Sequence, residues 1–368
     1  MKNFICLLVF FSFFFNCTAQ DRHYEITGRI EGAEGVKFIL QVNAGGKMIN
    51  LDTAIVANGM FKITGGSIEY PVTANLITAD RKKGLSFYLE NSNITISGKL
   101  ESLSEVKITG SKTQDEILPL SEYLKPMGEK YRIKNSEFQT VSKTGDTARI
   151  NELRRQLSAM LTQAQEVELK FVKNNPASFA APEILRNLVT NMQTTEIESI
   201  INAMDPAVAR TPIIMEIKSR INILKSVDIG KRAPDFTLND PQGKQVSLSS
   251  KMGSKLLLID FWAAWCSPCR GENPNVVKVW KEFNKKGFDV FGVSLDQEKE
   301  DWLKAIADDK LTWTHVSDLK YWNNAAAKLY GVNSIPANFL LDKNGIIVGK
   351  NLRGEELYNK VKELINTK

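Results

Sequence analysis

Two cysteines separated by two residues, Cys266 and Cys269, are the side chains of this chain best suited to redox chemistry. Such a pair can close into a disulfide and exchange electrons with other thiols. The pair follows an apolar run, residues 256–261, that is typical of a buried strand, and it precedes a helical apolar pattern. Cys266 should therefore lie at a helix N-terminus, where unpaired N–H groups and the helix dipole favour a thiolate. We expect Cys266 to attack a disulfide and Cys269 to resolve the mixed disulfide.

A zinc site and a purely structural disulfide are the alternatives for this pair. Zinc needs two further ligands at metal-like spacing, and the chain offers only His23, His315, Cys6 and Cys17. A structural bridge across two residues removes little entropy from the unfolded chain. We therefore expect no metal and no other cofactor, and we expect His315 to be a packed or surface residue without a catalytic role.

A carboxylate precedes the pair. Asp260 ends the apolar run six residues before Cys266. Burial raises the pKa of a carboxyl group, which suits Asp260 to move a proton on or off Cys269. We therefore expect Asp260 to take part in catalysis.

Three other residues of the same segment have predicted roles. Pro268 lies in the first helical turn and is expected to shape it, because its φ is already set and its missing N–H was unpaired anyway. Trp262 and Trp265 are expected to shield the disulfide and present an apolar contact surface. Ordinary core packing is the alternative for both tryptophans.

The N-terminus is typical of a secretory signal peptide. A lysine near the start precedes a dominantly apolar run, residues 4–15, that is too short to span a membrane as a helix. Small residues favour cleavage after Ala19, so residues 1–19 are the predicted signal peptide. Lipidation of Cys17 is the alternative and would supply a lipid anchor. Cleavage would leave the redox pair as the only cysteines, which indicates that an exported protein uses cysteine for redox chemistry.

The length of 368 residues predicts several domains. Residues 24–112 show short alternating runs between glycine-rich turns, which predicts an all-β sandwich or barrel. Residues 113–227 change to a helical period, and residues 228–368 carry the cysteine pair. The apolar face of the main predicted helix consists of Leu153, Leu157, Met160, Leu161 and Ala164. The formal charge of +6 comes without a Lys/Arg run, so no nucleic-acid partner is indicated.

Four segments of residues 229–368 resemble thioredoxin-like thiol-disulfide oxidoreductases of the TlpA/ResA type, which face the extracytoplasmic side of bacterial membranes. The segments are residues 233–238 (Ala-Pro-Asp-Phe-Thr-Leu), 260–270 (Asp-Phe-Trp-Ala-Ala-Trp-Cys-Ser-Pro-Cys-Arg), 290–296 (Val-Phe-Gly-Val-Ser-Leu-Asp) and 334–342 (Ser-Ile-Pro-Ala-Asn-Phe-Leu-Leu-Asp). The resemblance implies a C-terminal α/β thioredoxin-like fold. The N-terminal stretch resembles an uncharacterised β-domain often found ahead of such domains, so the chain is expected to be multidomain with a helical middle region.

The resemblance also implies roles for individual residues. The aspartate that matches Asp260 moves protons in thioredoxin, and ResA-like proteins carry a glutamate near the active site where this chain has Glu272. The alternative for Glu272 is a solvated acid favoured by the helix dipole. Pro336 matches the family's cis-proline, which lies against the cysteine pair at a strand edge able to bind an extended substrate. Ile335 precedes it as an isoleucine does in thioredoxin, which favours a reductase.

The sequence therefore predicts a thiol-disulfide oxidoreductase of the periplasm or cell envelope. It would reduce disulfide-bonded client proteins and receive electrons from a membrane thiol donor. A thiol peroxidase of the peroxiredoxin type is the second hypothesis, although peroxiredoxins carry Thr or Ser where this chain has Ala263. A non-catalytic binding or scaffold protein of the cell envelope is the third.

Overall fold

A computed structural model describes residues 23–44 and 46–366 of the protein. The predicted signal peptide, residues 1–19, and the possible lipidation site Cys17 lie outside the described residues. The chain divides into two compact units, one formed by residues up to 192 with 199–214 and the other by residues 193–198 with 215 onward. Among the described residues, no helix combines the length and apolarity needed to cross a membrane.

The first unit begins with two four-stranded sheets. Its strands are β1 (Tyr24–Glu31), β2 (Lys37–Ala44), β3 (Lys47–Ile55), β4 (Met60–Gly65), β5 (Val72–Thr78), β6 (Gly84–Leu89), β7 (Asn93–Lys99) and β8 (Lys107–Thr109). One sheet has the order β4-β1-β7-β8 and the other β3-β2-β5-β6. In β1 and β4 buried and exposed residues alternate, as expected when one face of each strand packs on a core.

A single apolar core joins the two sheets, so the β-rich region is a sandwich, one of the two predicted forms. Phe61 of β4 packs on Phe38 of β2 with their ring centroids 5.2 Å apart. Gly28 of β1 pairs with Phe61, and a Cβ at Gly28 would lie 1.8 Å from that ring. The glycine therefore makes room for this aromatic contact between the two sheets.

Helices follow the sandwich, in agreement with the predicted helical middle region. They are α1 (Lys112–Val141), α2 (Thr147–Asn174), α3 (Ala181–Leu188), α4 (Thr194–Ala203) and α5 (Pro212–Ser226). Side chains of Ser111 and Asp146 cap α1 and α2 by accepting backbone N–H bonds. Of the predicted apolar face of α2, Leu153 and Leu157 are buried but Leu161 is 46% exposed. The prediction for Leu161 was wrong, because neighbouring elements cover α2 at Leu153, Leu157 and, farther along, at Val172, but not at Leu161.

The second unit carries a five-stranded mixed sheet with a separate two-stranded hairpin. The hairpin is β9 (Thr237–Asn239) with β10 (Gln245–Ser247), and the sheet strands are β11 (Leu256–Trp262), β12 (Phe288–Ser294), β13 (Thr314–Val316), β14 (Ala337–Asp342) and β15 (Ile347–Lys350). The sheet order is β13-β12-β11-β14-β15. β11 lies at the centre, parallel to β12 and antiparallel to β14. Every residue of β11 is buried, as expected for a strand covered on both faces.

Four helices accompany this sheet: α6 (Ser267–Phe283), α7 (Lys299–Asp308), α8 (Ala325–Leu329) and α9 (Gly354–Asn366). Of the apolar positions that the sequence predicts for α6, Val276, Val279 and Phe283 are buried, and Val277 and Trp280 are half-buried. The arrangement is the predicted α/β thioredoxin-like fold. It brings the C-terminal end of β11 and the N-terminal end of α6 together at the cysteine pair.

Candidate active site

The cysteine pair lies where β11 passes into α6. Cys266 is the N-cap residue of α6, and its Sγ accepts a hydrogen bond from the Cys269 backbone N–H at 3.2 Å. The two sulfurs form a disulfide. Cys266 is 4% exposed and Cys269 1%, so the second cysteine is the more deeply buried. Pro268 occupies the first turn of α6, where the sequence placed it.

The turn before Cys266 is held from two directions at Ala264. The Asp296 carboxylate accepts the Ala264 N–H at 3.0 and 3.1 Å, and the hydroxyl of Ser294 donates to the same carboxylate at 2.7 Å. Arg270 of α6 donates to the Ala264 carbonyl at 3.4 Å and is itself paired with Asp309. Burial raises the pKa of Asp296 despite these bonds. The backbone that presents Cys266 is therefore fixed by buried or half-buried polar groups.

Asp260 is buried in the central strand, two residues before its end. It pairs with Gly292 of β12 and Asn338 of β14. Desolvation raises the pKa of Asp260 to about 7; the negative charge of Glu272 adds to this rise, and the positive charge of Arg353 opposes it. The expected upward shift is present. A carboxyl with this pKa is close to half ionised at neutral pH, which is the condition for efficient proton transfer in both directions.

Glu272 is half-buried and bridges two helices. One carboxylate oxygen accepts the backbone N–H of Gly354, the first residue of α9, at 2.7 Å, and the other accepts the Asn275 side-chain amide at 3.1 Å. The bond to Gly354 satisfies a donor at a helix N-terminus. Glu272 is thus not the freely solvated acid of the alternative interpretation, and its charge acts on Asp260.

The cis-proline predicted from the resemblance is present, because the Ile335–Pro336 peptide bond is cis. The next residue, Ala337, pairs with Phe261, so this turn lies at the end of β11 from which the cysteine loop departs. The Pro336 carbonyl accepts a hydrogen bond from Arg353 at 2.6 Å. By contrast, the Ile335 backbone forms no hydrogen bond within the described part of the chain. Its N–H and carbonyl are therefore free to pair with another strand.

Two tryptophans near the pair have different surroundings. Trp265 is 45% exposed beside the disulfide, as predicted for a contact surface. Trp262 is 1% exposed, and its predicted place on that surface was wrong, because it belongs to the central strand. It packs edge-on against His315, which is buried as expected of a packed residue. A Cβ at Gly292 would lie 2.4 Å from the His315 ring, so this glycine makes room for the imidazole.

Several residues of the site were not anticipated from the sequence. Arg270 lies four residues after Cys266, and this short spacing was a signal that could have been used. Asp296 lies in a segment already singled out, but its contact with the Ala264 N–H arises only through tertiary folding. Arg353 follows β15 and reaches the site only through tertiary folding, because Asn338 holds the neighbouring Leu352 by two hydrogen bonds of 2.7 and 2.9 Å. Two aromatic residues, Tyr321 and Trp322, lie in a mostly polar loop next to Trp265. Aromatic residues in a polar loop were the sequence signal that could have found them.

Comparison with known proteins gives two family matches. Residues 229–350 match the AhpC/TSA family, and residues 24–117 match a domain of unknown function, DUF4369. The chain is 30% identical over 141 residues to thiol-disulfide oxidoreductase ResA of Bacillus thuringiensis subsp. konkukian, covering 38% of this chain and 79% of that protein. It is 37% identical over 120 residues to thioredoxin-like protein YneN of Bacillus subtilis, covering 32% of this chain and 68% of that protein.

Among solved structures, the thioredoxin domain of thiol-disulfide oxidoreductase BVU-2223 from Bacteroides vulgatus is 42% identical, with a TM-score of 0.36 and coverage of 38% of this chain and all of that domain. The segment that matches the AhpC/TSA family, residues 229–350, contains the cysteine pair, the buried aspartate and the cis-proline turn described above. The enzymatic chemistry of this region is thiol-disulfide exchange. On sequence and site together, the chain belongs to the ResA/TlpA-type family of thioredoxin-like thiol-disulfide oxidoreductases.

Proposed function

We propose that this protein is an exported reductase of protein disulfides, with Cys266 as the attacking thiolate and Cys269 as the resolving thiol. The observation that carries the proposal is the presence in one site of a helix-capping cysteine, Cys266, and a buried carboxyl, Asp260, whose pKa is about 7. Such a carboxyl can take a proton from a buried thiol at neutral pH. Cys266 lies at the N-terminus of α6, where the helix dipole stabilises its thiolate.

The reaction would run in two exchanges. The Cys266 thiolate attacks one sulfur of the client disulfide and expels the other, which takes a proton from water, leaving a mixed disulfide. Asp260 then accepts the Cys269 proton, and the Cys269 thiolate attacks Sγ of Cys266 and releases the second client sulfur, which is protonated in turn. The client has gained two electrons and two protons, and the enzyme is left as the Cys266–Cys269 disulfide.

A dithiol donor must then reduce the enzyme and become a disulfide itself. We assign this role to a membrane thiol donor, in keeping with an exported protein. The assignment rests on the predicted signal peptide at residues 1–19, and lipidation of Cys17 would add a lipid anchor. Location in the periplasm or cell envelope also accounts for a mature chain whose only cysteines are the reactive pair.

Glu272 and Arg353 have opposing electrostatic roles in this scheme. The charge of Glu272 makes Asp260 hold its proton more tightly, and the charge of Arg353 makes it release the proton more readily. Desolvation dominates the upward shift of the Asp260 pKa, Glu272 adds to it, and only Arg353 opposes it. Both side chains also hold backbone beside the site, Glu272 at Gly354 and Arg353 at Pro336.

Ile335 offers the docking edge for the client. Its backbone N–H and carbonyl are unused within the described residues, whereas the neighbouring Pro336 carbonyl is occupied by Arg353. An extended client segment can therefore add as a short strand at Ile335, with main-chain hydrogen bonds that do not depend on its sequence. This would hold the client disulfide beside Cys266, with Trp265 on the exposed side.

The test combines a potential with a trapping experiment. We expect the Cys266/Cys269 couple to have a midpoint potential near that of thioredoxin, about −270 mV, and far from that of the oxidant DsbA, about −120 mV. Cys269→Ser should accumulate mixed disulfides between Cys266 and exported proteins, and Cys266→Ser, the matched control, should accumulate none. A potential near the oxidant value, or the absence of trapped proteins in the first variant, would contradict the reductase assignment.

A further inference from the structure

Three aromatic rings form a partly exposed surface beside the disulfide, which we call the aromatic platform: the exposed Trp265 and Tyr321 and the half-buried Trp322. The Trp265 ring centroid lies 5.0 Å from that of Tyr321 and 5.9 Å from that of Trp322, and the last two are 5.8 Å apart. Trp265 and Tyr321 are 45% and 37% exposed. Rings at these distances make favourable tilted contacts with each other and still leave apolar faces in water.

The backbone under the platform is strained. Tyr321 has φ of 55° and Leu319, two residues before it, has φ of 54°. Bulky side chains rarely adopt this left-handed region, which glycine and asparagine tolerate far better. Such conformations persist only where the surrounding structure enforces them, and they concentrate at functional sites. A glycine at position 321 would remove this strain, yet the chain has a tyrosine there.

Buried and half-buried polar groups enforce this conformation. The Asp318 carboxylate accepts the Asn324 side-chain amide at 2.8 Å and the Ala325 N–H at 2.9 Å. The Ser317 hydroxyl accepts the Leu319 N–H at 3.1 Å and donates to the Ser294 carbonyl at 2.9 Å. Asn324 is fully buried and caps α8. The loop is therefore built to hold Tyr321 in place before any ligand arrives.

The C-terminal end of β12 is hydrogen-bonded to the Tyr321 loop and, through Asp296, to the loop that carries Trp265. Ser294 accepts from Ser317 through its carbonyl and donates from its hydroxyl to Asp296. Asp296 in turn accepts the Ala264 N–H, directly before Trp265. The spacing between the Tyr321 loop and the cysteine loop is thus fixed by one buried network. Because the relative position of the two loops is fixed in advance, the surface loses little conformational entropy when a ligand binds, so it can discriminate among ligands.

We propose that the aromatic platform is a specificity surface that binds an aromatic or large aliphatic side chain of the client, close in sequence to the client cysteine attacked by Cys266. The occupant is the client polypeptide because Trp265 is bonded to Cys266 and continues the site. The apolar ring faces match an apolar side chain in chemistry. The inference rests on the proposed reductase function and names its preferred substrate class.

The first test measures preference with short disulfide-bonded peptides that carry Phe, Leu, Ala, Glu or Lys beside the cysteine. We expect kcat/KM to fall in the order Phe and Leu, then Ala, then Glu. The advantage of Phe over Ala should be about fivefold, as expected for one well-placed aromatic contact. A Lys peptide reduced faster than the Phe peptide, or equal rates for all five, would overturn the proposal.

The second test uses Tyr321→Gly, with Tyr321→Phe as the matched control. Tyr321→Gly should abolish the Phe preference through KM, while the midpoint potential and the reduction of a small disulfide, hydroxyethyl disulfide, stay unchanged. Its melting temperature should be unchanged or higher, because glycine adopts a φ of 55° freely. Tyr321→Phe should keep the preference. A second variant, Trp265→Ala, tests the platform from its other side and should also lose the preference for the Phe peptide.

The outcomes separate this inference from the reductase assignment. If the wild type oxidises dithiol peptides with the same Phe preference, the platform stands and the direction of electron flow is wrong. If Tyr321→Gly slows the reduction of hydroxyethyl disulfide, the Phe peptide and the Ala peptide equally, or leaves the preference for Phe over Ala intact, the platform inference fails while the reductase assignment stands. A melting temperature that falls together with activity on every substrate would show that Tyr321 is structural and would likewise overturn it.

Discussion

The β-rich region and the thioredoxin-like region both enclose an apolar core, but they differ in what else they bury. Among described residues 24–109 no carboxylate, amine, guanidinium or imidazole is buried, and the buried polar side chains are the neutral Gln41 and Thr78. The thioredoxin-like region buries Asp260, Asp296 and His315. Burying such groups is costly unless their charge is removed or compensated. The β-rich region is therefore organised for packing alone, whereas the other accepts a stability cost.

Burial shifts the pKa values of two of these groups on the central sheet in opposite directions. Burial raises the pKa of Asp260 to about 7 and lowers that of His315 to about 3. Both groups thus favour their neutral forms in the folded protein. Of the two, only Asp260 has charged residues that shift its pKa, Glu272 and Arg353, which supports the proposed proton transfer at Asp260 and a packing role for His315.

The largest expected effect is that of Asp260→Asn on exchange. Asparagine keeps the size of the side chain but cannot accept the Cys269 proton. We expect the rate of client reduction at pH 7 to fall by about 100-fold, the usual contribution of a positioned acid or base. The pH–rate profile should also lose the step near pH 7 that the raised pKa predicts. A core substitution in the other region, Phe87→Leu, serves as the control and should leave the rate unchanged.

The same substitution should stabilise the protein at alkaline pH. Because the folded pKa of Asp260 lies above its usual value of 3.8, its contribution to the free energy of unfolding is full below that pH and is lost as pH rises through about 7. Asp260→Asn should therefore raise the free energy of unfolding by up to about 4 kcal/mol at pH 8 and very little at pH 3.5. A variant that is less stable at pH 8 would show that the buried carboxylate is compensated in the fold.

His315→Leu should produce a pH slope of opposite sign. An imidazole with a lowered folded pKa contributes stability that is present above pH 6.5 and is lost as pH falls toward 3. Between pH 4 and 6.5 this slope, about 1.4 kcal/mol per pH unit, cancels that of Asp260. Relative to the wild type, His315→Leu should lose stability as pH rises, whereas Asp260→Asn should gain it.

Tryptophan fluorescence can follow this region alone, because all six tryptophans lie between Trp262 and Trp322. The control is again Phe87→Leu, monitored by circular dichroism, since that region contains no tryptophan. It should lower stability by about 1 kcal/mol at every pH, because it removes packed volume and no titrating group. The distinction between the two regions would fail if the stability lost in Phe87→Leu depended on pH. It would also fail if stability followed the same pH curve in His315→Leu as in the wild type.

Sequence reasoning found the groups whose signal is local. The alternation in β1 and β4, the capped start of α6 at Cys266 and the raised pKa of Asp260 all follow from neighbours along the chain. Arg353 had no such signal, because its place beside Pro336 depends on the packing of a distant turn. The exposure of Leu161 was missed for the same reason: helical periodicity shows which face is apolar but not which positions along that face neighbouring elements cover.

The smallest expected effects come from the two charges that adjust Asp260. Glu272→Gln keeps an oxygen for the Gly354 N–H but loses the negative charge, so the pKa of Asp260 should fall. Arg353→Met loses the opposing positive charge, so that pKa should rise. We expect shifts of about half a unit for each, because Arg353 is exposed and Glu272 is half-buried, and solvent screens their charges.

The measurement is a carbon-13 NMR titration of the Asp260 carboxyl in the disulfide form. Arg353→Lys is the matched control, since it keeps the charge while giving up the forked geometry of the guanidinium. It should leave the pKa of Asp260 near the wild-type value. If both charge-removing variants moved that pKa in the same direction, their influence would be structural, acting through the backbone they hold at Gly354 and Pro336. Movement in opposite directions would show that the thioredoxin-like region sets the proton affinity of its buried acid with charges at its rim, for which the β-rich region has no counterpart.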